Sequence, residues 1–344
     1  MTYQELLEKA RKNIGPYCKA CPVCNGKACR NTIPGPGAKG EGDTAIRNFE
    51  AWKNIRLNMD TITENKKPDT SFDFFGYRMK YPILAGPVGA IKLHYGERYE
   101  ESEYNDIIVS ACAEAGILAM TGDGVNPVIM QEACGAVKRN GGAGVPTVKP
   151  WDIDTLKEKF ALVKDSDSVA VAMDIDAAGL PFLQNLTPPA GSKTVAELKE
   201  VVRAAGKPFI AKGIMTVKGA MKAMEAGAAG IVVSNHGGRV LDQCPATAEV
   251  LEEIVSAVAG RMMILVDGGI RSGPDIYKAL AMGADAVIIA RPFVTGMYGG
   301  GAEGVKLIAQ KLGAELADTM KMCGSPDLAS IGRENIFIPA SGIL

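Results

Sequence analysis

The sequence predicts an α/β fold, a (β/α)8 TIM barrel over residues 81–344 behind an N-terminal helical, cysteine-containing extension over residues 1–80. Three observations predict it. Eight short apolar runs recur from residue 81 onward, and helical patterns separate the later ones. The runs are apolar throughout, as strands of a parallel sheet covered on both faces are. Eight such units fit a closed barrel of about 250 residues. A doubly wound open sheet is the rival, but no Gly-x-Gly-x-x-Gly fingerprint follows the first strand.

The elements follow in order. Met1–Arg11 is charged and amphipathic, so it reads as a helix and not as a signal peptide. Tyr81–Ala85 is the first strand. A helix around Asn105–Ala115 leads to the second, Gly116–Met120. Gly144–Val148 is a weaker third, and Ser168–Met173 is the fourth. Pro208–Ala211, Gly230–Val233, Met263–Val266 and Ala286–Ile289 complete the eight. Helical patterns at Val195–Ala205, Val217–Ala226, Ala246–Ala259 and Gly273–Met282 lie between and after them.

Composition narrows the function. The chain has 344 residues, 38 basic and 39 acidic, and a net charge of −1, which argues against nucleic acid or an anionic membrane as partner. No apolar run approaches the ~20 residues that span a bilayer. A soluble, cytoplasmic protein is expected. Four of the eight cysteines, Cys18, Cys21, Cys24 and Cys29, lie within one short stretch. In a cytoplasmic protein such a run favours metal or redox chemistry over a disulfide set.

The candidate chemistry sits just after the later strands, where a barrel gathers its active site. Lys212 ends strand five, His236 and Arg239 follow strand six, Asp267 ends strand seven and Arg291 follows strand eight. A base and a fixed cation at the end of a buried strand suit a small carboxylate substrate, although either could be structural. The glycine-bearing loops Asp267–Gly273 and Ala290–Pro292 expose backbone N–H groups and suggest a bound phosphate near Gly269 and Arg291; ligand-free turns are the alternative. Lys212 could stabilise negative charge on a cofactor ring, or reach past the rim to solvent. His94, after strand one at the same barrel face, reads as a surface or packed loop residue, a catalytic role being the alternative; Gly35–Gly42 reads as a flexible loop, an anion site being the alternative.

The segments Pro208–Gly213, Ser234–Arg239, Asp267–Gly273 and Ala290–Pro292 resemble the FMN-dependent α-hydroxy-acid oxidase and dehydrogenase family. Asn48–Trp52 resembles that family's N-terminal region more weakly. The resemblance implies FMN and oxidation of a small (S)-2-hydroxy acid to the 2-oxo acid. It implies that His236 is the base, that Arg239 binds the substrate carboxylate, that Asp174 orients the imidazole, and that Lys212 lies by the flavin N1–O2 edge. It implies a cofactor cradle of Pro87, Val88, Gly89, Thr121, Lys212, Ser234, Asp267, Gly268, Gly269, Arg271, Ala290 and Arg291. A homo-oligomer is expected; the electron acceptor is left open.

The pattern also departs from the family. Its second arginine is missing from Ile175–Pro181. Lys149 stands in place of a tyrosine after strand three and takes over part of its polar function. A second tyrosine falls at Ile33-Pro34-Gly35, and Ala172 replaces a threonine. The cysteine run Cys18-x2-Cys21-x2-Cys24-x4-Cys29 is foreign to the family. It suits an iron–sulfur cluster or zinc; free loop thiols are the alternative. Two rival functions follow: an FMN barrel enzyme of reductase or isomerase type acting on another substrate, and a flavin- or metal-binding redox sensor that is not an enzyme.

Overall fold

A computed structural model describes residues 1–180, 183 and 190–339. Pro181, the end of the stretch lacking the expected arginine, lies outside the described residues. The barrel strands are β1 (Ile83–Ala85), β2 (Leu118–Thr121), β3 (Val145–Val148), β4 (Val171–Asp174), β5 (Phe209–Ile214), β6 (Gly230–Val233), β7 (Met263–Val266) and β8 (Ala286–Ile289). They form one closed parallel barrel, β8 pairing with β1 through Val287–Ile83 and Ile289–Ala85. Nearly every strand residue is buried, as apolar runs between helices and a filled barrel interior require.

All eight expected strands are present, with ends shifted by up to three residues. The helix over Val195–Ala205 falls where the pattern put it, because its signals agree: Thr194 and Glu197 form a capping box, and Gly206 ends it in the left-handed region. The helices Pro127–Arg139 and Ile153–Asp165, which complete the units after β2 and β3, were not assigned from sequence. Their caps were nonetheless written there: Asn126 accepts from Val128 N before Pro127, and Asp152 accepts from Asp154 N and Thr155 N.

The extension contributes helices α1 (Tyr3–Asn13) and α2 (Asp43–Asn54), with the hairpin Phe72–Phe74/Tyr77–Met79 after them. Trp52 of α2 is fully buried, and its indole N–H donates to Gly268 O at 2.8 Å. Asn48 and Asn235 exchange side-chain hydrogen bonds at 2.7 and 3.0 Å. Asp242 accepts from Glu41 N, Gly42 N and Thr44 N, anchoring the start of α2 to the loop after β6. The glycine-rich loop expected to be flexible is tied down as well, since Lys39 Nζ donates to Gly179 O and Val240 O. No helix among the described residues is long and apolar enough to cross a membrane.

Candidate active site

The ends of all eight strands face a cavity of about 330 Å³, within the usual range for a cofactor or small-molecule site. Its wall includes His236, Arg239, Lys212, Asp267, Gly268, Gly269, Arg271, Ala290 and Arg291, and on the other side Pro87, Val88 and Gly89. These expected site residues are therefore brought together by the fold. Thr121, Ser234 and Asp174 sit behind the wall, all buried.

His236 lies in the left-handed region at φ 55°, a backbone state costing about 1–3 kcal/mol that is held here by its neighbours. Its N–H donates to Ser234 Oγ at 3.1 Å, and Asn235 Oδ1 accepts from Gly237 N. The imidazole Nδ1 lies 3.0 Å from Asp176 Oδ1. This corrects the expectation that Asp174 orients the base. Asp174 is instead engaged by two lysines, Lys149 at 2.6 Å and Lys212 at 3.0 Å. Burial works against its carboxylate, but Lys149 and then Lys212 outweigh it and hold its pKa far below the usual carboxylate range. Lys212 is the mirror case: burial opposes the ammonium, while Asp174, Asp176 and Asp267 raise its pKa well above the lysine norm. Its head is turned inward onto these acids, so it does not reach past the rim.

Asp176 was missed in the sequence, and the fold shows what makes room for it. Gly213 (φ 105°) follows Lys212, and a side chain there would strike Asp176 Cβ at 2.6 Å. The glycine thus leaves the room that Asp176 fills beneath His236. With Asp174, Asp176 and His236 within 4.8 Å of one another, the group resembles a cation site, but Lys149 and Lys212 already supply its positive charge.

Arg239 Nη1 donates to Gly35 O and to Gly37 O, the latter at 2.9 Å. The extension thus fixes the guanidinium at the cavity wall, and the fork carries further N–H donors. His94 is packed and lines this same cavity, the barrel face its position after the first strand suggests. Its Nδ1 accepts from Gly35 N at 3.0 Å, so the ring carries its proton on Nε2. Burial, then Arg239, Lys149 and His236, pushes its pKa down to about 3.

The cofactor residues show where a ligand is needed. Thr121 Oγ1, Asp267 Oδ1 and Arg271 Nη2 are buried polar atoms without a hydrogen-bond partner, and so is Thr147 Oγ1 on the adjoining strand. Orphans of this kind concentrated at one barrel face fit a polar ligand there. Gly269 lines the cavity and also packs against α2: a Cβ there would lie 2.1 Å from Asn48 O, which by itself favours a glycine. Arg271 Nε donates to Cys24 O at 2.8 Å, which links this loop to the cysteine run.

The sequence profile of FMN-dependent dehydrogenases matches residues 35–180 and 163–338. The chain is 32% identical over 334 residues to the peroxisomal (S)-2-hydroxyacid oxidase GLO3 of Arabidopsis thaliana, covering 87% of this chain and 90% of that protein. It is 30% identical over 322 residues to L-lactate oxidase of Lactobacillus jensenii, covering 84% and 76%. Among solved structures, a mandelate oxidase variant with (S)-mandelic acid superposes with a TM-score of 0.80 at 26% identity, over 98% of this chain and 100% of that one.

Proposed function

This chain belongs to the FMN-dependent dehydrogenase family, and from that premise we propose that it oxidises a small (S)-2-hydroxy acid to the 2-oxo acid. The observation that carries the reading is the 3.0 Å contact between His236 Nδ1 and Asp176 Oδ1, on a cavity wall shared with Arg239 and Lys212. FMN, when bound, accepts the two electrons of the oxidation. Asp267, Arg271, Ala290 and Arg291 would hold its ribityl phosphate end, and Lys212, Thr121, Ser234 and the Pro87–Gly89 backbone its ring. The orphaned atoms of Thr121, Asp267 and Arg271 support that assignment.

His236 takes the substrate proton on Nε2, since Nδ1 is held by Asp176. The developing imidazolium is stabilised by that carboxylate. Arg239 binds the substrate carboxylate through its remaining N–H groups, a charge-assisted pair. His94, neutral and bearing its proton on Nε2, is a donor on the same wall. Lys149 joins it where the family's tyrosine and second arginine are missing. Leu93, Val125 and Ile129 supply an apolar flank, which suits an acid with an apolar side chain. A cytoplasmic homo-oligomer belongs to the proposal; the plant relatives are named peroxisomal.

The test is anaerobic mixing of the yellow protein with a panel of 2-hydroxy acids. Bleaching of the flavin is expected with at least one. Failure across lactate-, glycolate- and mandelate-type acids would overturn the substrate class while leaving FMN binding intact.

A further inference from the structure

The active site leaves the cysteine run unused. Next to the cofactor cavity lies a second cavity of about 280 Å³, and Cys18, Cys21, Cys24 and Cys29 all line it. None of the four is in a disulfide, and none is fully exposed. Arg271, Arg291 and three lysines share the wall, and no carboxylate does. The same two arginines also line the cofactor cavity, so they stand at the boundary between the two.

The four thiols and the cations around them bear on what this chamber can hold. A tetrahedral zinc with Zn–S bonds of about 2.3 Å draws its four sulfurs to within about 4 Å of one another. Among the described residues, the group of metal-binding side chains gathered within 4.8 Å is Asp174, Asp176 and His236, and no three of these cysteines meet that limit. A single ion is therefore a poor fit. Thiolates at the corners of a multi-iron core stand farther apart, around a body that needs a chamber. The surplus of cations complements the negative charge such a core carries with its thiolates.

We propose that Cys18, Cys21, Cys24 and Cys29 ligate an iron–sulfur cluster of the 4Fe–4S class in this cavity, with Arg271 and Arg291 between it and the FMN phosphate. Its placement relative to FMN rests on the function proposed above; the cluster itself does not. A cluster here would take electrons from the flavin one at a time. The two released by each hydroxy-acid oxidation would pass on to a one-electron carrier protein, and the two protons to water.

The experiment is anaerobic purification of the full chain, followed by iron, acid-labile sulfide, zinc and FMN analysis, with electron paramagnetic resonance after dithionite reduction. About four iron and four sulfide per chain are expected, with a reduced-cluster signal distinct from flavin. Cys21→Ser and Cys29→Ser should each lose iron and that signal while retaining FMN. Stoichiometric zinc without sulfide, metal-free protein with full FMN, or iron that survives both substitutions would each overturn the proposal. Should a variant fail to fold, the iron-to-sulfide ratio of the unmodified protein still decides. A protein that holds the cluster but is not bleached by any 2-hydroxy acid would refute the substrate class alone.

Discussion

The two halves of the barrel mouth are built on different terms. After β5 to β8, Lys212, His236, Arg239, Asp267 and Arg291 stand at one cavity, in the places their motifs suggest. After β2 to β4, the polar groups are rearranged. Lys149 pairs with Asp174, Asp176 holds His236, and Asp123 is saturated by Lys159, Trp151 and the Lys149 N–H. In the proposed function the later half carries the base, the carboxylate anchor and the groups for the phosphate end of the cofactor. The earlier half adds Thr121 and the Pro87–Gly89 backbone at the ring, and its Lys149 and His94 stand on the substrate side.

The largest expected effect breaks this comparison at its hinge, the base. His236→Asn should keep FMN and slow flavin reduction by the best 2-hydroxy acid by about 10²- to 10⁴-fold in anaerobic stopped flow. Asp176→Asn should slow the same step, since it removes the charge that stabilises the imidazolium. An unchanged rate in His236→Asn would mean that the base lies elsewhere, and the redox-sensor reading would gain ground.

Asp174 sharpens the contrast, because its role is to neutralise two lysines. Asp174→Leu leaves Lys149 and Lys212 without their carboxylate in a buried setting and should cost about 3–5 kcal/mol in urea unfolding. Lys149→Met should cost less, because Lys212 stays paired with both Asp174 and Asp267. The pH dependence has a definite sign. The Asp174 pKa is depressed in the fold, so its contribution is present above the ordinary carboxylate range and is lost as pH falls through the folded value. Equal losses in the two variants would show that Asp174 is not the shared partner.

His94 separates the substrate side from the cofactor side through pH. Its folded pKa, about 3, lies below the ordinary 6.5, so the unfolded chain binds the proton more readily between those values. Stability is then full above about 6.5 and falls toward pH 3, at up to about 1.4 kcal/mol per pH unit. In His94→Gln that component should vanish. Melting temperatures of the two proteins should converge or cross as pH drops, whereas a difference independent of pH would sink the assignment.

Much of the barrel was legible because its signals are local and agree. Apolar runs such as Ala286–Ile289, short and set between helical patterns, read as buried strands, and Thr194 with Glu197 marks a helix start without any tertiary help. His236, Arg239 and Lys212 were legible because each sits directly behind such a run. The partner of His236 was not. Asp174 and Asp176 are two residues apart, and which of them meets the ring depends on Lys149 claiming the first, a contact between β3 and β4 that no local pattern encodes. The barrel face of His94 was legible from its position after the first strand, but its hydrogen-bond partner Gly35, 59 positions away, was not. Half of what Gly269 does was also hidden: its motif reads as a phosphate turn, while the packing demand from Asn48 of α2 comes from a distant part of the chain.

The smallest effect tests whether the extension belongs to the cofactor half. Trp52→Phe keeps most of the buried ring but removes the N–H that donates to Gly268 O. That carbonyl opens the loop leading through Gly269 to Arg271, so loosening it should act on the flavin before it acts on the acid. The expected loss of stability is about 1 kcal/mol, that of one hydrogen bond. FMN should dissociate measurably faster from the variant, followed by flavin fluorescence, while KM for the acid stays unchanged. A raised KM with unaltered FMN release would move α2 to the substrate side, where Gly35 and Gly37 already hold Arg239. The extension would then serve recognition throughout, and the division of labour would run between the extension and the barrel rather than between the two halves of its mouth.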